Sequence, residues 1–352
     1  MSAPAALADR ARTEPRAGEG CVRLGHGSGG KLSARLLRDH FLPRFKSPYL
    51  HELGDGAVVP VAAGSQVVST DTFVVRPLEF PGGDIGRLAV HGTVNDVAMM
   101  GGVPRYLSAA FVLEEGLELE VLDRILDSML ASADACGIEL IAGDTKVVER
   151  GKADGLYVNT TGFGTAQPDF RPAPRNARPG DAVIVSGPVA CHGMAIMASR
   201  EGLAFDADIA SDTASLVPLV NGLREALGGD VHCLRDATRG GLASALNEIA
   251  AAAEVGVELT AMPPVPPAVE AACEMLGLDP LYVANEGVMV ALVDGARGDR
   301  AVEVLRRHPV GARARVLGHV TDRHVGTVAL RTGLGGTRVV DMLPGDQLPR
   351  IC

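Results

Sequence analysis

The sequence predicts an α/β protein built from two domains. The chain has 352 residues, 47% of them hydrophobic, which is enough to bury two cores of ordinary size. β-branched runs alternate with amphipathic runs along most of its length. Residues 171–180 contain three prolines and a glycine and interrupt this alternation, as a linker does. Because the alternation restarts afterwards, we expect one α/β unit on each side of the linker.

The first unit is expected to span residues 21–165. Its helices are predicted from apolar residues at helical spacing, and its strands from β-branched alternation. The predicted helices cover residues 32–41, 85–100 and 122–133. The predicted strands cover residues 67–75, 138–142 and 155–164. The second of these strands opens into the polar stretch at residues 143–148.

The second unit is expected to span residues 181–333, after a linker at residues 166–180. Its predicted helices cover residues 194–200, 215–227, 242–253, 267–276 and 301–307. Its predicted strands cover residues 181–186, 256–260, 285–293, 315–320 and 326–331, the third beginning at a polar corner. Residues 1–20 lack the apolar core of a signal peptide and are expected to form a disordered extension. Glycines and prolines in residues 334–352 predict a mobile tail.

Composition excludes several classes of function. The formal net charge is −10, so the chain has no obvious surface for nucleic acid or for an anionic membrane. It has no tryptophan and only 3% aromatic residues, which argues against a base-stacking platform. No run is long and apolar enough to span a bilayer. Six scattered cysteines without a C-x-x-C pair form neither a disulfide framework nor a zinc site, so we expect a reducing, cytoplasmic location.

The first chemical motif is the glycine-rich stretch Gly25–Lys31. It matches G-x-G-x-x-G and nearly matches the phosphate-binding loop, but Leu32 stands where that loop needs a hydroxyl. Two interpretations remain open. The stretch can be a glycine turn before a helix, or a flap whose N–H groups approach phosphates.

Four aspartates and a lysine in the first unit indicate metal and phosphate chemistry. Asp55, Asp71, Asp96 and Asp144 lie at a glycine turn, in strands or their ends, and in an apolar helix. Each alone can be a cap or turn residue, but together they suggest a site for a hard cation such as Mg²⁺. Lys146 can add a positive charge for a phosphate.

The second unit carries another polar set. Arg239 precedes Gly240 at a predicted helix start, which is a favourable place for an anion. Asp236 and Asn285 belong to the same set. Glu286 can be a general base, although a helix cap or an ion pair explains it equally well.

The chain ends on Cys352, which closes no loop and supports no downstream structure. Its thiolate is the nucleophilic form, which Arg350 favours and the terminal carboxylate opposes. The cysteine is either a stray exposed thiol or a swinging sulfur that carries a group between sites.

Several motifs in fixed order give the chain a specific resemblance. They are His26–Gly30, Ser69–Thr72, Phe80–Gly83, Val94–Ala98, Pro104–Ser108, Gly143–Val148, Asp236–Gly241, Ala284–Gly287 and Pro349–Cys352. From about residue 21 to the end, the chain resembles the HypE family of hydrogenase maturation proteins, which are carbamoyl dehydratases. One departure is Cys191, where an aspartate is expected before His192 and Gly193.

The resemblance implies a PurM-like, aminoimidazole-ribonucleotide synthetase-like fold with a dimerising first half. It also implies that a carbamoyltransferase loads Cys352 and that ATP and Mg²⁺ drive dehydration to a thiocyanate. Cyanide then passes to an iron-carrying maturation scaffold. Cys352, Glu286 and Lys146 are the expected catalytic residues, and the four aspartates hold the metal. The implied nucleotide site comprises Gly27, Ser28, Gly29, Gly30, Lys31, Asp71, Thr72, Asn95, Asp96, Gly143, Asp144 and Lys146.

Two rival functions remain at this point. One is another ATP-using enzyme of the same fold, such as selenophosphate synthetase or thiamine-phosphate kinase. The first needs a reactive cysteine or selenocysteine near its glycine loop, and the second needs no terminal cysteine. The other rival is a non-catalytic nucleotide-binding scaffold that presents its tail to partners. ATP turnover that requires carbamoylated Cys352 would exclude both.

Overall fold

The structure is a computed structural model that describes residues 20–27, 31–51, 57, 59–61, 64–201, 209–333, 335–342 and 350–352. In the first half, short helices α1 and α2 precede the sheet. Its helices are α1 (Lys31–Leu36), α2 (Pro48–His51), α3 (Ile85–Met99) and α4 (Leu119–Cys136). Its strands are β1 (Gln66–Phe73), β2 (Glu79–Phe80), β3 (Gly83–Asp84), β4 (Gly102–Glu114), β5 (Glu139–Val148) and β6 (Leu156–Ala166).

The first half is built on a four-stranded sheet in the order β1-β6-β4-β5. β4 pairs antiparallel with β6 and parallel with β5. Helices α3 and α4 cover one face, where alternate strand residues such as Leu107, Phe111 and Val158 are buried with them. The other face carries half-buried and exposed side chains. We call these the helix face and the open face.

Two differences from the predicted strands concern the first sheet. β4 was not predicted, and it fills the centre of the sheet. β5 does not end at residue 142 but continues through Gly143 to Val148, because residues 143–148 pair with β4 in unbroken register. Asp144 and Lys146 are therefore strand residues, and their side chains alternate with those of their neighbours.

Helix α3 lies at the centre of the molecule. Every residue from Ile85 to Met99 is buried except Arg87 and Asp96, since the helix packs on the first sheet and also contacts the second half. Asp84 caps its N-terminus by accepting hydrogen bonds from two backbone N–H groups, at 2.8 and 3.0 Å. The helix is a rigid support between the domains.

The second half has a seven-stranded sheet in the order β13-β12-β9-β11-β7-β10-β8. Its strands are β7 (Ala182–Val185), β8 (Val231–Asp236), β9 (Gly256–Leu259), β10 (Met289–Val293), β11 (Arg315–Thr321), β12 (Val328–Arg331) and β13 (Thr337–Val339). Its helices are α5 (Cys191–Glu201), α6 (Val217–Leu227), α7 (Gly241–Ala253), α8 (Pro267–Leu276) and α9 (Gly298–Leu305). Two apolar clusters flank the central strands β7 and β10, which are buried throughout.

The carboxyl end of the chain is more ordered than the mobile tail expected from residues 334–352. β13 pairs with β12, and Val340 is fully buried in the second core. Asn247 Nδ2 donates to Val340 O at 2.8 Å, which fixes this segment on α7. Residues 350–352 are also docked, as described below. Among the described residues, no helix combines the length and apolarity needed to cross a bilayer.

Candidate active site

Five of the predicted site residues converge in the cleft between the two halves. Asp71 on β1 and Asp96 on α3 come from the first half. Asp236 at the end of β8 and Glu286 before β10 come from the second. Cys352 reaches the same place from the end of the chain. Its thiol is hydrogen-bonded to Glu286, and burial together with the charges of Glu286 and Asp71 raises its pKa. The cleft thus brings together residues that are up to 281 positions apart in the sequence (352 − 71).

The last three residues occupy a seat made by both domains. The carbonyls of Cys352 and Arg350 accept hydrogen bonds from the N–H groups of Val74 and Arg76, each at 3.3 Å, so the main chain of the tail is bonded to the segment just after β1. The Ile351 side chain between them is 2% exposed. These contacts place Cys352 by its main chain.

Side chains complete this seat. Arg350 Nη1 forms an ion pair with Asp154 at 2.7 Å, and Arg200 Nη2 donates to Arg350 O at 2.7 Å. His192 Nε2 lies 2.7 Å from Ile351 O. Because a carbonyl only accepts, His192 carries its proton on Nε2, and burial, which lowers its pKa to about 4, keeps the ring neutral. None of Asp154, His192 or Arg200 was predicted, because only the folded chain brings them to the tail.

The Cys352 thiol lies beside the Glu286 carboxylate. Burial raises the pKa of Glu286 well above its usual value, Asp236, Asp212 and Asp71 raise it further, and a hydrogen bond with Cys352 opposes this. Burial and the Glu286 charge likewise raise the pKa of Cys352 well above that of a free thiol, despite Arg239. The docked Cys352 therefore stays a thiol at neutral pH, and Glu286 holds a proton more strongly than an exposed carboxyl does. The stray-thiol interpretation does not fit this placement.

A set of three aspartates lines the cleft next to this pair. Ser69 Oγ donates to Asp96 at 2.7 Å. Burial raises the pKa of Asp96, and the Asp71 charge adds to this rise; burial and the Asp96 charge raise the pKa of Asp236 to about 7. Burial also raises the pKa of Asp71. Asp96 and Asp236 are hydrogen-bonded to each other, which is how two carboxylates share a proton when no cation separates them.

Asp144 and Lys146 lie away from this cluster. Asp71 shares a row of the sheet with Thr160, whose hydroxyl donates to Ala89 O of α3, so this row points to the helix face. Asp144 is in the neighbouring row and points to the open face. It is also three strands away from β1, about 14 Å at the usual strand spacing. The Lys146 ammonium, 64% exposed, pairs with Asp144 at 2.8 Å and holds the pKa of that carboxyl below its usual value.

Of the aspartates expected to hold the metal, Asp144 therefore lies apart from Asp71 and Asp96 within one chain. Asp55 lies outside the described residues, as do Ser28, Gly29 and Gly30 of the glycine stretch, and nothing is described of the Lys31 side chain. In the described part of the chain, no three His, Cys, Asp or Glu side chains form a complete metal-binding group. Lys146, expected to be catalytic, is on the other side of the sheet from Cys352.

Gly143, Asp144 and Lys146 instead line a cavity of about 450 Å³ at the β5 edge of the sheet. Its wall is mostly apolar, with Leu36, Phe41 and Phe45 among the lining residues, and His26 and Ser33 add polar groups. Gly27 ends the short helical turn Leu24–Gly27 beside it.

Other predicted residues are used to build the site. Asn95 joins the domains by donating to Ala214 O at 2.9 Å and accepting from Leu216 N–H at 2.7 Å. Thr72 Oγ1 accepts from Asn159 on the open face. The Asn285 amide donates to Ala237 O and accepts from Ala190 N–H, both at 2.7 Å. The three side chains thus make hydrogen bonds within the fold.

The predicted anion site has the expected backbone. Gly240 and Gly241 have positive φ values of 74° and 61°, and a Cβ on Gly241 would come within 2.6 Å of Leu281 O, so this turn requires glycine. Arg239 is exposed on it and acts electrostatically on both Asp71 and Cys352.

Comparison with known proteins decides the family. AIR synthase related protein domains match the chain, the N-terminal domain over residues 53–166 and the C-terminal domain over residues 178–331. "Carbamoyl dehydratase HypE" of Cupriavidus necator is 49% identical over 335 residues, covering 95% of each chain. The chain belongs to the HypE family of carbamoyl dehydratases. This membership confirms the predicted two-domain PurM-like fold and the enzyme class.

Solved HypE structures agree with this fold. Hydrogenase maturation protein HypE in complex with ATP matches with a TM-score of 0.90 and 46% identity, covering 94% of this chain and 99% of that one. The HypE chain of a HypE-HypF complex matches with a TM-score of 0.77 and 41% identity, covering 88% and 99%. Membership in the HypE family excludes both rival functions considered from the sequence.

Proposed function

We propose that this HypE-family chain dehydrates a carbamoyl group carried on its own Cys352 to a thiocyanate, at the expense of ATP, to supply cyanide for hydrogenase iron. The main support for this proposal is the docked tail, which holds the Cys352 sulfur beside the buried Glu286 carboxyl. A carbamoyl group on that sulfur would lie between the base and the acid-lined cleft.

The reaction would proceed in two steps. ATP phosphorylates the carbamoyl oxygen while the nitrogen loses one of its two protons to solvent, and ADP leaves. The carbon–oxygen bond then breaks, phosphate departs with the electron pair, and the carbon–nitrogen triple bond forms as nitrogen loses its remaining proton. Glu286 would accept that proton, and burial makes its carboxylate a stronger base than an exposed one. The thiocyanate stays on Cys352 until the iron-carrying scaffold receives the cyanide.

ATP is supported as the second substrate by the HypE relative solved with it. Its phosphates would lie toward Asp71, Asp96 and Asp236, where a divalent cation fits. Mg²⁺ needs only one or two carboxylates beside phosphate and water, and it would replace the proton shared by Asp96 and Asp236. Bound there, it would neutralise phosphate charge. Arg239, which acts on Asp71 and Cys352, would add a fixed positive charge.

We further propose that the open face of the first sheet forms a symmetric homodimer. It exposes apolar side chains such as Val68, which is 56% exposed, and a cavity of about 440 Å³ lined by Tyr106 and Phe163. Asp144 and Lys146 point to this face, so a dimer would bring them toward the partner subunit. They would then serve a nucleotide that one chain alone cannot reach with them.

The carbamoyl donor would be a carbamoyltransferase of the same maturation pathway, as the HypE-HypF complex of a relative supports. The docked Cys352 is half-buried beside Glu286, and the tail would have to leave its seat to be loaded. An iron-carrying scaffold would later take the cyanide. All six cysteines are free thiols, which fits a cytoplasmic site of action.

The test is intact-mass measurement after incubation with the carbamoyl donor system and ATP. The wild-type chain should gain one carbamoyl group and then lose one water. Cys352→Ser should show neither change, because a hydroxyl does not ionise near neutral pH. Cys21→Ser is the matched control and should behave as wild type. Adduct formation on Cys352→Ser, or mapping of the group to another cysteine, would contradict the proposal.

A further inference from the structure

The segment from Ile209 to Leu216 crosses the cleft between α5 and α6. Ser211 N–H donates to Pro81 O at 2.8 Å, and the segment is held at its other end by the two Asn95 hydrogen bonds. Both anchors belong to the first domain, although the segment belongs to the second. The segment is thus fixed against the same domain that receives the tail.

Ser211 connects the segment to the tail. Its hydroxyl lies 2.8 Å from His192 Nδ1, and His192 Nε2 donates to Ile351 O. Since Nε2 carries the proton, Nδ1 is an acceptor and the Ser211 hydroxyl donates to it. The same hydroxyl oxygen accepts from Thr213 N–H at 3.1 Å, so its orientation is fixed. Ser211 therefore sets the ring position that holds the residue next to Cys352.

Asp212 connects the segment to the base. Its Oδ1 accepts the backbone N–H of Glu286 at 3.0 Å, while its Oδ2 is shielded from solvent. Gly287, the residue after Glu286, packs closely against the same segment, since a Cβ on Gly287 would lie 1.9 Å from Asp212 O. Glu286 is 4% exposed, and its Oε1 is buried without a hydrogen-bond partner among the described residues. The position of the base thus depends on the main-chain bond to Asp212.

We propose that Ser211 and Asp212 are a pair of positioning residues that hold the tail and the base in register. Ser211 positions the tail through His192, and Asp212 positions Glu286 through its backbone N–H. The inference rests on the proposed function, because it assumes that the carbamoyl nitrogen loses its proton to Glu286. Neighbouring residues of one segment keep both groups at a fixed separation, and an error of about 1 Å can cost ~100-fold in rate.

The experiment measures single-turnover dehydration by intact mass, using the full-length chain carbamoylated on Cys352 by its transferase and then given ATP. Asp212→Asn keeps an oxygen that accepts the Glu286 N–H, so its rate should stay within about threefold of wild type. Asp212→Ala removes the acceptor and should lower the rate by ~10-fold to ~100-fold, with the KM for ATP unchanged. Ser215→Ala, in the same segment, is the matched control and should keep the wild-type rate.

Two further comparisons separate positioning from a general loss of structure. In a Glu286→Gln background, Asp212→Ala should lower the dehydration rate by less than about threefold, because its effect on the rate acts through the base. Ser211→Thr should retain activity that Ser211→Ala loses, since only threonine keeps the hydroxyl. Equal losses for Asp212→Asn and Asp212→Ala, or full additivity with Glu286→Gln, would overturn the inference. Absence of thiocyanate in the wild type would instead refute the proposed function.

Discussion

Replacing Ile351 with alanine tests whether tail docking limits dehydration. The side chain is 2% exposed in its seat and would be solvated when the tail is released. The change removes three carbons, and at about 0.8 kcal/mol per buried carbon the docked state loses ~2.4 kcal/mol. One factor of ten corresponds to about 1.4 kcal/mol, so the docking equilibrium should shift by ~50-fold toward the free tail.

Two assays read this shift. Dehydration of carbamoylated Cys352, followed by intact mass, should slow by up to ~50-fold, because the chemistry occurs only in the docked state. Carbamoylation should not slow, since the transferase needs the released tail. The melting temperature should fall only slightly, because Ile351 packs on the first core but contributes at most ~2.4 kcal/mol there. Val339→Ala, whose side chain is 63% exposed, is the control. Wild-type dehydration in Ile351→Ala, or a slowed carbamoylation, would refute the reasoning.

Three further predictions follow from the cleft. Glu286→Gln should still bind ATP but form thiocyanate at least ~100-fold more slowly, and normal dehydration would mean that another group is the base. Asp96→Asn and Asp144→Asn should both weaken ATP turnover; if only Asp96→Asn does, the open face contributes nothing to the nucleotide site. Burial raises the pKa of Asp212 to about 7, above its value in the unfolded chain. The protonated carboxyl therefore stabilises the fold below the unfolded pKa, and this stability is lost as the pH rises through about 7. Asp212→Asn should therefore melt higher than wild type by a margin that grows from about pH 4 to about pH 8, and a constant margin would contradict this pKa.

The residues of the cleft could be predicted because their chemistry is visible locally. Asp71 interrupts a β-branched strand, and Asp96 interrupts an apolar helix, which is costly for a carboxylate without a function. Glu286 and Arg239 lie in glycine-flanked corners. The terminal position of Cys352 was itself the signal.

Strand β4 was missed because of Pro104. A proline removes one ladder donor and argues against a central strand. In the structure the register shifts between Pro104 and Tyr106, and the pairing with β5 begins only at Tyr106, so the proline lies where a single neighbour is present. The sequence pattern cannot show that the strand gains its second neighbour, β5, only from Tyr106 onward.

The positions of Asp144 and of Asp212 depend on long-range pairing. Asp144 follows a glycine and resembles a loop residue, but the continued register of β5 turns it to the open face. Asp212 lies in a short stretch of small and polar residues, and its contact with Glu286 is 74 positions away. Local composition contains no information about either partner.

The docked tail is held by both domains, so its contacts depend on the distance between them. Val74, Arg76 and Asp154 hold it from one side of the cleft, and His192 and Arg200 hold it from the other. If the cleft widens, one set of contacts has to break, because three residues cannot stretch across a larger gap. The sulfur thus lies beside Glu286 only while both domains hold the tail, so the position of the nucleophile depends on the separation of the domains.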